Sequence, residues 1–183
     1  MMLQHERFWT ASNVVSIIRL FLTAPMAWLL WHDDHGGAII VAALAAATDW
    51  IDGRLARATG TVSEWGKVLD PLADKILVGT VVVIMVIKQM LPLWFVIAIV
   101  LRDVLILIGG IIAERRTGKI TPSIMVGKLA VTAIAATGVA GIMRATAFVQ
   151  IGIGLSTLLM AVSLWQYAKR LHGILRQTQA KTQ

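Results

Sequence analysis

Six apolar runs, at residues 14–31, 38–51, 69–87, 91–113, 128–142 and 147–167, occupy most of this 183-residue chain. Most approach the ~20 residues that an α-helix needs to cross the hydrocarbon core of a bilayer. Inside that core no water can satisfy backbone N–H and C=O groups, so a spanning segment has to bond them internally. The composition agrees: 57% of residues are hydrophobic and the mean hydropathy is +0.77, whereas soluble domains hold about 45–50% apolar residues. The breaks at 31–37, 88–90 and 143–146 are as short as antiparallel helical hairpins require, and no Pro- or Ser-rich linker divides the chain. The expected fold is therefore all-α, with six transmembrane helices in one bundle and a single domain over 1–183. The charged segment 1–13 precedes a run too long for a signal sequence and without a small-x-small cleavage site, so that run should remain as the first helix.

Charge orients the helices. Arg7, Arg54, Arg57, Lys67, Arg115, Arg116, Lys119, Lys128, Lys169, Arg170, Arg176 and Lys181 are twelve of the 17 Lys and Arg, and all fall on one side of the alternation; the other side holds Lys88 and Arg144. By the positive-inside rule both termini and the two longer loops are cytoplasmic, with Trp28, Trp31 and Trp94 as aromatic anchors at the far interface. The net charge of +7 then faces anionic membrane lipid. Nucleic acid is not an expected partner, because no soluble basic domain exists to carry it. The absence of cysteine removes thiol and disulfide chemistry.

Against this apolar background the stretch 49–74, D-W-I-D-G-R-L-A-R-A-T-G-T-V-S-E-W-G-K-V-L-D-P-L-A-D, is anomalous. Asp49 and Asp52 stand three apart and Asp70 and Asp74 four apart, so helical flanks put each pair on one helix face. The topology sets all four at one membrane level. An ionised Asp near the middle of a bilayer helix costs roughly 2.5–3.5 kcal/mol on the lenient insertion scale, so four of them need cations. Pairing with Arg54, Arg57, Lys67 or Lys75 accounts for one pair of Asp but not for the whole spacing. Hard oxygen ligands without Cys or clustered His favour Mg²⁺, Mn²⁺ or Ca²⁺ over zinc or copper.

Written as D-x2-D-G-x2-A-R-x8-G-x3-D-x3-D, the residues Asp49, Asp52, Gly53, Ala56, Arg57, Gly66, Asp70 and Asp74 match without a gap the signature of the CDP-alcohol phosphatidyltransferases, and the chain resembles that family. The segment 13–19, L-R-D at 101–103 and P-S-x3-G-K at 122–128 are similar to its weaker positions. The resemblance implies transfer of a phosphatidyl group from CDP-diacylglycerol, or a related CDP-alcohol, to an acceptor hydroxyl with release of CMP. Asp49, Asp52 and Asp70 are the favoured ligands of Mg²⁺ or Mn²⁺, two ions in all, with Asp74 completing the metal site; the resemblance implies Asp74 as the general base as well, with a role as fourth ligand alone the alternative. Gly53, Ala56 and Gly66 lack bulk, so a nucleotide or a neighbouring helix can approach the backbone. Arg57 can hold phosphate oxygens in a planar fork. The reaction belongs to phospholipid biosynthesis, and the site should face the cytoplasm in a multi-pass cell-membrane protein.

The acceptor has to be read from other basic residues. Arg19 and Arg102 lie inside apolar runs and are expensive to keep; Arg102 either pairs with Asp103 or meets substrate. Arg115, Arg116, Lys119 and Lys128 fall in the fourth loop, near the Asp level, where they can bind an acceptor phosphate. A polyol phosphate such as glycerol 3-phosphate therefore fits better than serine, choline or ethanolamine. Phosphatidylglycerol, the acceptor in cardiolipin synthesis, comes second and inositol phosphate third; a non-enzymatic divalent-cation carrier would instead spread its carboxylates over several depths. His32-Asp33-Asp34-His35 reads as a solvated turn. The tail 170–183 reads as a helix end fraying into solvent. The small residues at 42–47 and 133–141 fit close helix packing, within one protomer or in a homodimer.

Overall fold

A computed structural model of the chain describes the backbone of residues 11–59, 66–117 and 124–180, and their side chains except at 11–13, 49–59, 66–71, 175 and 177–180. Six helices follow one another: α1 (Ala11–Trp31), α2 (His35–Thr59), α3 (Gly66–Ile87), α4 (Leu93–Thr117), α5 (Met125–Ile142) and α6 (Thr146–Ala180). Four stretches, Val14–Trp31, Leu93–Thr117, Met125–Ile142 and Thr146–Ile174, are long and apolar enough to cross a membrane. The expected six helices are thus present, and among the described residues four of them qualify as spans by length and composition. In α2 the described apolar part is the shorter His35–Thr48.

Several helices outrun the apolar segments. α2 continues past residue 51 to Thr59, α4 past 113 to Thr117, and α6 through Ala180, so the segment expected to fray is helical up to that residue. Apolar runs report which turns can sit in hydrocarbon; Ala, Leu, Arg, Lys and Gln keep high helix propensity in water, and the hydrogen-bond ladder continues through them. Polar edges hide helix ends for the same reason.

The three short turns share one device. Asp33, Gln89 and Arg144 have φ of 60°, 55° and 55°. Around each, the following N–H reaches back to close the helix: Asp34 N to Leu29 O at 2.9 Å, Met90 N to Met85 O at 2.8 Å and Ala145 N to Ala140 O at 3.0 Å. The inner bonds Asp33 N to Leu30 O, Gln89 N to Val86 O and Arg144 N to Gly141 O complete three Schellman motifs. None uses glycine. In the 32–35 turn Asp34 Oδ1 then accepts from Gly37 N at 2.9 Å and caps α2, while His32 Nδ1 lies 2.8 Å from Trp28 O. The turn is exposed as expected, and it forms an ordered helix stop and start.

By contacts the helices form two compact units, Met1–Met90 and Leu91–Gln183. In the first, α1 packs against α2 and α3 around Met26, Leu30, Ala38, Ala73 and Met85. Lys88 Nζ meets Asp33 Oδ2 at 2.7 Å, so the ends of α1 and α3 lie together and these helices run parallel, with α2 antiparallel to them. In the second, α6 packs against α4 and α5 around Phe95, Ala130, Ile142 and Met160. Buried Thr137 bonds Ala133 O at 2.7 Å and lies 3.3 Å from Ser156 Oγ. A Cβ on Gly152 would collide with Thr137 Oγ1, so the α5–α6 approach depends on a residue without a side chain. Outward positions such as Phe21, Leu107, Phe148 and Ile151 are apolar and exposed, as suits contact with lipid.

Candidate active site

Residues 49–59 are helical in α2 and residues 66–74 in α3. The condition on which the Asp pairing rested, helix on both flanks, is met. The bridge between Lys88 and Asp33 gives a common reference end for α2 and α3. At 1.5 Å per residue, Asp49 and Asp74 stand about 20 Å along their helices from that end, and Asp52 and Asp70 about 26 Å. Helix register alone therefore sets the four positions at one level, at the end remote from the Asp33 turn. The side chains of Asp49, Asp52, Gly53, Ala56, Arg57, Gly66 and Asp70 lie outside the described residues.

Asp74 is the motif residue with a described side chain. Arg19 Nη1 of α1 donates to Asp74 Oδ1 at 2.6 Å. The guanidinium arm is packed away, with 3% of the Arg19 side chain exposed, whereas 53% of the Asp74 side chain is open. Among the described residues Asp74 Oδ2 has no hydrogen-bond partner. Arg19 sits mid-way in an apolar helix where a charge is costly, and the carboxylate of α3 offsets that cost across the helix interface. Sequence reasoning marked Arg19 as expensive but missed its partner; the signal was a lone cation in an apolar run level with an acidic motif.

Among the described residues no group of three or more His, Cys, Asp or Glu comes together to hold a metal. The donor set nevertheless fits a hard divalent cation: carboxylates on two helices at one level, with an unpartnered oxygen at Asp74. Asp49, Asp52, Asp70 and Asp74 are the residues that could hold it.

The basic residues proposed for the acceptor divide. Arg102, 6% exposed, donates from Nη1 to Asp103 Oδ1 at 2.6 Å and from Nη2 to Ser163 Oγ at 3.2 Å and to Gly127 O at 3.5 Å. The expected pairing with Asp103 is present, and both terminal nitrogens are engaged. Beside it, Ile124 N donates to Tyr167 Oη at 3.3 Å, which supplies the start of α5 with the cap that Ile124 lacks. Lys128, next to Gly127, is exposed. Arg115 and Arg116 occupy the last turn of α4, about 20 Å along that helix from Arg102. Lys128 thus belongs to the Arg102 level and Arg115 and Arg116 to the end of α4, while Lys119 lies outside the described residues. Loop length in sequence could not show this, because α4 runs several turns past the point where α5 begins.

A cavity of about 410 Å³ between α4 and α6 is lined by Leu105, Gly109, Gly110, Trp165, Arg170 and neighbouring apolar residues. Among the described residues its lining offers hydrocarbon contact and one cation, Arg170, and no carboxylate.

Residues 9–167 match the family described as CDP-alcohol phosphatidyltransferase. The chain is 30% identical over 168 residues, 84% of its length and 86% of the relative's, to the CDP-diacylglycerol–glycerol-3-phosphate 3-phosphatidyltransferase of Bacillus subtilis. It is 42% identical over 110 residues to a chloroplastic enzyme of that name from Oryza sativa, 60% of this chain and 33% of the relative. To the cardiolipin synthase (CMP-forming) of Streptomyces coelicolor it is 33% identical over 135 residues, 69% of this chain and 62% of the relative. The chain thus spans about a third and under two thirds of the rice and Streptomyces proteins. With four helices fit to cross a bilayer and a family match that runs through both helical units, the chain is a membrane protein and belongs to the CDP-alcohol phosphatidyltransferase family.

Proposed function

We propose that this chain transfers a phosphatidyl group from CDP-diacylglycerol to the primary hydroxyl of glycerol 3-phosphate, giving phosphatidylglycerophosphate and CMP. The observation that carries the reading is the register of the motif: four Asp positions on two helices at one level, ending at Asp74 with an open carboxylate oxygen. A cation carrier has no use for a single level. Asp49, Asp52 and Asp70 would hold Mg²⁺ or Mn²⁺, two ions in all, which when bound neutralise the donor pyrophosphate and stabilise charge on the leaving phosphate. Gly53, Ala56 and Gly66 leave room for the nucleotide, and Arg57 forks onto its phosphate oxygens. Asp74 accepts the proton of the acceptor hydroxyl as its oxygen bonds to the phosphatidyl phosphorus; the bond from that phosphorus to the CMP oxygen breaks, and CMP leaves.

All six helices cross or enter the membrane in this reading, with termini and site on the cytoplasmic face, in line with the Lys and Arg excess on that side. The relative from Bacillus subtilis supports glycerol 3-phosphate, since its match runs over most of both chains. The Streptomyces coelicolor relative supports phosphatidylglycerol as the second acceptor to test. Lys128, at the start of α5, and Arg115 with Arg116, at the end of α4, are two alternative anchors for the acceptor phosphate.

The test is a purified-enzyme assay with labelled CDP-diacylglycerol against glycerol 3-phosphate, phosphatidylglycerol, inositol phosphate and serine. Turnover with glycerol 3-phosphate is expected to exceed the others. Lys128→Ala or the double Arg115→Ala/Arg116→Ala variant should raise its KM about ten- to a hundredfold, the worth of a charge-assisted hydrogen bond, with donor affinity unchanged. No turnover with glycerol 3-phosphate, or wild-type KM in every variant, would move phosphatidylglycerol to first place.

A further inference from the structure

The charge on Arg19 is unusual in its setting. It lies in apolar α1, almost wholly buried, and its arm leads to one oxygen of a carboxylate that belongs to a different helix and is half open. An Asp side chain with that much exposure ordinarily turns about two side-chain bonds. A 2.6 Å bond from a donor packed between α1 and α3 removes that freedom, because a guanidinium whose stem is buried cannot follow a rotating carboxylate. The bond occupies Oδ1. It leaves Oδ2 exposed and without a partner among the described residues, fixed in direction. This is the arrangement that proton abstraction needs, a base whose own orientation is set by a third group.

We propose that Arg19 is the positioning residue for Asp74: it pins Oδ1 from α1 and thereby aims Oδ2 at the acceptor hydroxyl. The proposal rests on the reading of Asp74 as general base. In this role Arg19 acts through the carboxylate. A fixed base is worth having because misplacement by about 1 Å can cost around a hundredfold in rate. The residue type matters as well. A lysine ammonium is a point charge on a flexible stem and holds direction poorly, whereas a planar guanidinium fixes it.

The experiment is a double-mutant cycle of Arg19→Met and Asp74→Asn in full-length protein in detergent, with glycerol 3-phosphate saturating. Three readouts accompany kcat: CDP-diacylglycerol affinity by calorimetry, Mn²⁺ affinity by electron paramagnetic resonance, and Tm. Arg19→Met should lower kcat about ten- to a hundredfold with both affinities near wild type, Arg19→Lys should recover part of that loss, and Arg19→Met should add nothing in the Asp74→Asn background. Additive losses, a fall in Mn²⁺ affinity that matches the fall in kcat, or wild-type kcat in Arg19→Met beside an inactive Asp74→Asn would overturn the role of Arg19 alone. Wild-type kcat in Asp74→Asn would instead refute the base assignment, and the proposal with it. If Arg19→Met does not fold, Arg19→Lys carries the cycle, since it keeps the charge and loses only the fork; the same non-additivity is then expected, at about a tenfold effect.

Discussion

Among the described residues two arginines are buried in apolar helices, and they are used differently. Arg19 and Arg102 are 2% and 6% exposed, and each donates from Nη1 to an Asp at 2.6 Å. Arg102 pairs with its own neighbour in the chain, then spends its other terminal nitrogen on a backbone carbonyl of α5 and a hydroxyl of α6. That network ties three helices of one unit together and leaves no terminal nitrogen for a ligand. Arg19 reaches instead to an acidic motif on another helix and leaves one carboxylate oxygen open. The lesson is that burial of a charge does not reveal its purpose; what the charge leaves unsatisfied does.

If the four Asp hold divalent cations as proposed, chelation should have the largest effect. Activity should fall to background in excess EDTA and return with Mg²⁺ or Mn²⁺, assayed by CMP release. Full turnover after verified metal removal would break the contrast, since the Asp cluster would then be no more catalytic than Asp103. Asp74→Asn comes next, with kcat lower by about 10²–10⁴-fold and only a modest loss of Tm because Asn keeps an oxygen to accept from Arg19, whereas Asp103→Leu should lose stability and keep kcat. That variant leaves the Arg102 charge without its carboxylate; because Asp103 is itself 59% exposed, the expected loss is about 1–3 kcal/mol of stability, with kcat per folded molecule retained. A catalytic defect in folded Asp103→Leu would place Arg102 back among substrate-binding residues.

Smaller effects separate packing from chemistry within the second unit. Gly152→Ala must displace Thr137, whose hydroxyl faces Ser156, and is expected to cost about 1–3 kcal/mol by thermal or denaturant unfolding. Gly127→Ala should cost less, since its Cβ would stand 3.4 Å from both Arg102 Nη2 and Ser163 Oγ. The smallest effect, and of opposite sign, belongs to Gln89→Gly: at φ 55° a glycine relieves left-handed strain, with a gain of up to about 1 kcal/mol. An unchanged or lower Tm would show that Gln89 contributes more than its backbone geometry.

The sequence by itself determined the helices, the family and the level of the site. Apolar runs of bilayer length leave helix as the economical answer wherever the backbone must bond internally, and helix register converts the spacing of Asp49, Asp52, Asp70 and Asp74 into positions at a shared level. Helix ends were less legible: α2 and α6 continue through polar residues that hydropathy discounts, and the three turns stop on Asp33, Gln89 and Arg144, none of them the glycine that a sequence reader looks for. What only the tertiary structure decided is partnership. That Arg19 holds Asp74 across 55 positions, that Tyr167 caps α5 across 43, and that Lys128 stands with Arg102 rather than with Arg115 all depend on which helix faces are brought together. A contact between helices is set by how whole faces pack, and the local pattern of a single chain carries the faces but not their neighbours.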